Sequence, residues 1–170
     1  MKATGGRLWA PWRMPYLRKI TRPKKPDACF FCEYAAAPRK DRGNLVALRG
    51  KTCFVVLNRF PYSGGHLLVA PLAHKGELAT LDAGERQEIF DHLVRMQETL
   101  DRLMHPQGYN VGLNIGRAAG AGIPGHLHFH IVPRWNGDTN FMASVAQSKV
   151  IPQALEELHA DLQKALRGRR

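Results

Sequence analysis

The run His126-Leu127-His128-Phe129-His130-Ile131-Val132 constrains this chain more than any other. Apolar and imidazole side chains alternate along it with a period of two, the period of a β-strand whose successive side chains point to opposite faces. The pattern predicts a strand over 126–134 that sends Leu127, Phe129 and Ile131 into a core and lines the other face with three imidazoles. Same-face neighbours on a strand stand roughly 6.6 Å apart, too far as a rule for ring-to-ring hydrogen bonds. Each ring is therefore expected to meet its own partner around one small site. Such a row has three uses. It can ligate a metal such as zinc through neutral nitrogens, as in a metal hydrolase. It can attack phosphorus through Nε2 while a hydrogen bond holds Nδ1, carrying a phosphoryl or nucleotidyl group covalently. Or it can be a polar patch on a half-exposed strand. The segment just before it weighs against the last use. Gly116, Gly120, Gly122 and Gly125 give a backbone able to turn N–H groups toward one point, which an anionic phosphate requires.

Around this strand the chain reads as short apolar runs closed by turn residues. NLVAL, TCFVVLN and HLLVAPL predict three strands over 44–48, 52–58 and 66–72, with Ser63-Gly64-Gly65 turning the last two into a hairpin. YNVGLNI, at 109–115, predicts a further strand. Asp82 followed by Glu85 is a capping-box pattern, and Ile89, Leu93, Met96, Leu100 and Leu103 recur at helical steps, predicting one amphipathic helix over 83–104. A final helix is expected after Ile151, with Pro152 near its first turn and Leu155, Leu158, Leu162 and Leu166 on one face. The fold class is therefore α+β: an antiparallel sheet of about five strands, one long helix and a C-terminal helix. Residues 1–28, rich in proline and basic residues with Trp9, Trp12 and Tyr16, read as an arm; 29–170 read as a single domain with a basic tail.

The formal net charge of +11 resembles that of a nucleic-acid binder, so its location decides the matter. Residues 1–25 hold eight Lys or Arg and no acid, residues 164–170 hold four more and no acid, and 26–163 hold 13 basic and 14 acidic residues. Basic ends on a near-neutral body read as solvated or packing tails rather than as a groove for a polyanionic chain. No apolar run approaches the roughly 18 residues of a membrane span, and no export signal is recognisable at the start. The expectation is a cytoplasmic protein, with no membrane or nucleic-acid partner. Three cysteines cannot all pair, so reduced thiols follow. Cys29-Phe30-Phe31-Cys32 can serve redox chemistry, zinc binding or nothing. A thioredoxin-like use calls for the start of a helix in a βαβ setting, and zinc calls for about two more ligands. Cys53 lies in an apolar run and reads as core.

HLHFHIV, together with TCFVVLNRFPYSGGHLLVAPLAHKGEL, resembles the histidine triad nucleotide-binding family over about residues 29–142. LWAPWRMPYL, GLNIG, VPRWNGDTNFM and SKVIP are similar to the branch that contains bacterial diadenosine tetraphosphate phosphorylases. The resemblance implies cleavage of a dinucleoside polyphosphate at its α-phosphorus through a nucleotidyl-histidine intermediate, with phosphate or water as second acceptor. His128 would be the nucleophile, and His130 with backbone N–H groups of residues 120–125 would hold the phosphoryl oxygens. His126 completes the triad and His66 matches a fourth histidine behind it; a buried histidine satisfied by a neighbour is the other reading of His66. Asn58 matches a ribose-contacting position, or simply closes a turn. Where many triad hydrolases carry Gln or Ser four residues before the first histidine, this chain has Gly122, so only backbone can serve there; Asn114 is a candidate to compensate. Zinc-containing members imply a structural site of Cys29, Cys32, His74 and His126. No organic cofactor is implied. The family's habit of pairing through a helix and a sheet edge implies a homodimer or a larger assembly. Two other readings stay open: a nucleotide-binding regulatory module with little catalysis, and a hydrolase of other nucleoside phosphoramidates or nucleotides.

Overall fold

The central residues of two expected strands, 53–57 and 67–71, are apolar at every position, which an antiparallel sheet tolerates only where both of its faces are covered. The computed structural model describes residues 29–138 and 153–168, and in it both conditions hold. The strands are β1 (Val46–Arg49), β2 (Cys53–Leu57), β3 (Leu67–Pro71), β4 (Gly108–Leu113) and β5 (Phe129–Arg134), in the order β1-β2-β3-β5-β4, each pair antiparallel. β2 and β3 are buried throughout. Their alternate residues divide between two cores. Cys53, Val55, Leu57, Leu67 and Val69 join Leu127, Phe129 and Ile131 on one face. Phe54, Val56, Leu68 and Ala70 join Phe31 and Cys29 on the other.

The first face is covered by helix α3 (Ala83–Met104), preceded by α1 (Phe30–Ala35) and α2 (Asp41–Asn44), and by helix α4 (Leu155–Arg167). α3 begins where its capping box predicts: the Asp82 side chain accepts from the Glu85 N–H at 2.8 Å and Glu85 accepts from the Asp82 N–H at 2.8 Å. Ile89, Leu93, Met96 and Leu100 are buried, and Leu103 packs against them. α4 begins at Leu155, later than expected, with Ala154 as N-cap. Its His159 donates from Nε2 to the Val46 carbonyl at 2.9 Å, and Gln163 donates to the carbonyls of Val46 and Ala47 at 3.2 and 2.7 Å. The helix thus occupies acceptors that the outer edge of β1 would offer another strand.

The hairpin of β2 and β3 has the expected partners, from Cys53↔Pro71 to Leu57↔Leu67. Its connection is a loop over 58–66 in which Gly65 adopts φ +78, and a Cβ there would stand 2.9 Å from Met104 Sδ. α1 was not expected, and the triad strand starts at Phe129, so His126 and His128 lie in the extended segment leading into it. The side-chain alternation nevertheless holds, with Leu127, Phe129 and Ile131 in the first core. Residues 1–28, the segment 139–152 with Pro152, and the end of the basic tail lie outside the described residues.

The turn between β1 and β2 is fastened by a carboxylate. Glu88 of α3 accepts from the backbone N–H groups of Lys51, Thr52 and Cys53 at 2.7, 2.6 and 3.1 Å and from the Thr52 hydroxyl. Burial would raise its pKa, but these four donors outweigh that and hold it at about 2. Gly50 permits the approach, since a Cβ there would meet Glu88 Oε1 at 2.5 Å and His92 Nε2 at 2.6 Å. Glu88→Gln is expected to cost about 1 to 3 kcal/mol near neutral pH, read as a lower thermal midpoint. A carboxyl depressed in the folded state stabilises fully above its ordinary 4.5 and loses that contribution as pH falls through about 2. The gap between wild type and variant should therefore close over that acid range, and a gap independent of pH would contradict this account.

Candidate functional site

α1 is only six residues long, with Cys29 as its N-cap and Cys32 in its first turn, so both thiols face one side. The pair thus does stand at the start of a helix, though in an antiparallel rather than a βαβ setting. Opposite them is His126. Its Nε2 lies 2.8 Å from the Pro71 carbonyl, and because a carbonyl only accepts, that nitrogen carries the proton. Nδ1 keeps a lone pair, 3.2 Å from Cys29 Sγ and 3.5 Å from Cys32 Sγ. His74, just after β3, places its Nδ1 3.2 Å from Cys32 Sγ. All four ligand atoms lie within 4.8 Å of one another. A tetrahedral zinc would separate its sulfur and nitrogen ligands by roughly 3.6 Å, so two thiols and two outward lone pairs fit such an ion. Burial, with a hydrogen bond and charge from Cys29, pushes the Cys32 thiol up to about 11. An incoming cation must displace thiol protons.

The carbonyl of His126 accepts from His128 Nδ1 at 2.8 Å. That bond leaves the lone pair of His128 on Nε2. Burial lowers the pKa of His128 from its ordinary 6.5, which favours the neutral ring a nucleophile needs. A second chain of bonds fixes His130. The Tyr62 backbone N–H donates to His66 Nδ1 at 3.0 Å, so His66 carries its proton on Nε2 and donates it to His130 Nδ1 at 2.9 Å. His130 then holds its own proton on Nε2, an atom that is buried and has no partner among the described residues. Burial, and then the charge of His128, hold His130 at about 4. The two rings stand 5.1 Å apart, closer than strand spacing alone allows, one offering a lone pair and the next an N–H.

The site residues expected from the sequence sort into two centres that share His126. His66 is wholly buried and acts on His130, as the Tyr62 ring does by stacking at 5.8 Å with planes 9° apart. The three triad rings do not converge on one metal: His126 turns to the thiols, His128 to a carbonyl and His130 to His66. Asn58 directs its amide to His66 at 3.3 Å and its oxygen to the Phe60 N–H at 2.9 Å. Asn114 follows β4, two positions past Gly112, which pairs with His130. In the glycine loop the Gly120 N–H already donates to the Arg117 carbonyl and the Ala121 N–H to that of Gly116. Gly122 borders open space. Sequence reasoning missed Phe31 and Tyr62. The backbone role of Tyr62 has no residue signature, whereas Phe31 stood between two ligand-type cysteines.

Residues 41–137 match the HIT domain. The chain belongs to the HIT domain family. The AP-4-A phosphorylase of Mycobacterium tuberculosis (strain CDC 1551 / Oshkosh) is 40% identical over 154 residues, covering 89% of this chain and 79% of that one. The asymmetrical bis(5'-nucleosyl)-tetraphosphatase of Schizosaccharomyces pombe is 30% identical over 96 residues, covering 56% and 52%. Among solved structures, a Zn-bound histidine triad family protein from Mycobacterium smegmatis superposes with a TM-score of 0.67 at 25% identity, over 83% of this chain and 94% of that one. The five-stranded antiparallel sheet with its helices is the HIT arrangement. No helix among the described residues is long and apolar enough to cross a membrane.

As purified, this HIT chain is expected to carry about one zinc per molecule. Cys32→Ser should lower that content and reduce the thermal midpoint by roughly 5 to 10 °C. Metal analysis and a melting curve check both, and an unchanged midpoint after complete metal removal would contradict a structural role.

Proposed function

We propose that the chain is an enzyme that cleaves dinucleoside polyphosphates of the diadenosine tetraphosphate type, with His128 as nucleophile. The observation that carries this reading is the pair of fixed tautomers: His128 with a free Nε2 lone pair beside His130 with an unpartnered Nε2–H. Nε2 of His128 attacks the α-phosphorus, the bond to the bridging oxygen breaks, and the remaining polyphosphate leaves as a nucleoside triphosphate. A second acceptor then attacks the same phosphorus and frees the ring. Charge on the phosphoryl oxygens is the main barrier to lower, and a buried N–H at His130 meets it. Backbone N–H groups near Gly122 would join it, since those of Gly120 and Ala121 are already bonded within the loop. Asn114 would lie toward the leaving group. Asn58 would reach a ribose only by giving up a contact to His66 or Phe60.

We read the Cys29, Cys32, His74 and His126 cluster as a structural zinc site; when bound, the ion closes the cluster by coordination and takes no part in bond making. The resemblance to a Zn-bound relative supports that reading. The M. tuberculosis relative's name favours phosphate as second acceptor, giving a nucleoside diphosphate; water would give the monophosphate. Incubation with diadenosine tetraphosphate is expected to yield ATP with ADP when phosphate is present, and AMP beside ATP would instead assign a hydrolase. His128→Asn should reduce turnover on the order of a thousandfold or more while still binding AMP, and a variant of normal rate would end the proposal.

The working unit is proposed to be a homodimer. β4 lies at the end of the sheet, with Val111 exposed on it and Phe90 and Val94 exposed on α3. Light scattering should give twice the chain mass, and Val111→Asp with Phe90→Asp should halve it.

A further inference from the structure

Phe31 is fully buried and sits between the two cysteines of α1. Its ring centroid is 5.0 Å from that of His126 and 5.0 Å from that of His128, tilted by 37° and 34°. One face of the nucleophile candidate is thus packed by a residue of the cysteine loop itself. We propose that Phe31 is a positioning residue for His128, and that it carries the state of the Cys29, Cys32, His74 and His126 cluster to that ring. The inference rests on His128 being the nucleophile.

The physical argument begins with the length of α1. Six residues cannot hold a helix in place by their own hydrogen bonds, so its position is set by what it is fastened to. Its N-terminal end is fastened by the two thiols, drawn to His74 and His126, and by the packing of Phe31, and its C-terminal end by the Arg49 guanidinium of β1, which donates to the Tyr34 and Ala35 carbonyls. A cation in the cluster would tie both ends of the Cys-Phe-Phe-Cys segment to the segment that carries His128. Neutral thiols hold it only through hydrogen bonds. Besides its contact with the His130 ring, His128 is held among the described residues by the bond from Nδ1 to the His126 carbonyl, and His126 is itself a member of the cluster. The Phe31 contact and the Nδ1 hydrogen bond therefore both lead to the same four side chains. Loosening them lets the imidazole turn, and a misplacement of about 1 Å in a reacting group can cost on the order of a hundredfold in rate.

The plainer alternative is that Phe31 only fills the core, where it also meets Phe54 at 6.3 Å. Phe54 is equally buried and supplies the control. The test uses the full chain with zinc bound and histidine rings labelled with nitrogen-15, the His128 signals being assigned by their loss in His128→Asn. Wild type is expected to show His128 as a single tautomer protonated on Nδ1. Phe31→Leu should keep its zinc, broaden or double those signals, and lower kcat about 10- to 100-fold with KM little changed. Phe54→Leu should lower the thermal midpoint and leave the His128 signals and kcat alone. Stripping zinc from wild type should reproduce the spectrum of Phe31→Leu. If Phe31→Leu does not fold, Phe31→Met is read in its place. Zinc-loaded Phe31→Leu with the wild-type His128 spectrum and kcat would overturn the proposal, as would an equal effect from Phe54→Leu. Turnover by His128→Asn would instead sink the functional reading, and the spectra, which need no activity, would still report on Phe31.

Discussion

The site hangs on one residue, His126, which is held at three atoms for three different purposes. Its Nε2–H donates to the Pro71 carbonyl at the end of β3, its Nδ1 faces the thiols of α1, and its carbonyl accepts a hydrogen bond from His128 Nδ1. The next residue, Leu127, donates its N–H to the Lys75 carbonyl, and the Lys75 ammonium pairs with Glu85 at 2.6 Å. The capping box of α3 is therefore tied through one lysine to the segment that presents His128. Such a segment needs this support because it lies outside the ladder of β5, whose strand hydrogen bonds begin only at Phe129.

Burial does the chemical tuning. Low exposure disfavours the charged form of His126, His128 and His130 alike, so the row is electrically neutral although it consists of three bases. Neutral imidazole has one donor and one acceptor, and the assignment at each ring is settled by a partner that can play only one part: a carbonyl for His126 and His128, a backbone N–H for His66 and, through it, His130. In the proposed reaction, an imidazole fixed in this way does not have to reorganise when a phosphoryl group arrives.

The strands, the long helix and its first residue were legible in the sequence because each follows from a period or a capping pattern that no distant contact had to override. The alternation at 126–131 likewise predicted which side chains enter the core, although the ladder begins three residues late. Illegible features were those decided by contacts distant in sequence or by backbone groups. Nothing in the letters of Tyr62 says that its N–H sets a tautomer 68 positions downstream. α1 has no run long enough to register as a helix, and its place depends on thiols meeting imidazoles about 40 and 95 residues away. The ribose role expected of Asn58 came from resemblance, whereas the amide of this chain is engaged with His66. The N–H groups of the 120–125 loop read alike in the sequence, whereas two of them, those of Gly120 and Ala121, are used by the loop's own turns.

The sealing of β1 by His159 and Gln163 also bears on how far copies of this chain can go on joining. A sheet with two sticky margins is bifunctional, like a monomer that polymerises without limit. One with a single sticky margin is monofunctional: two copies meet head to head, and the reaction is terminated. A helix laid along one border thus acts as a chain stopper for this five-stranded sheet.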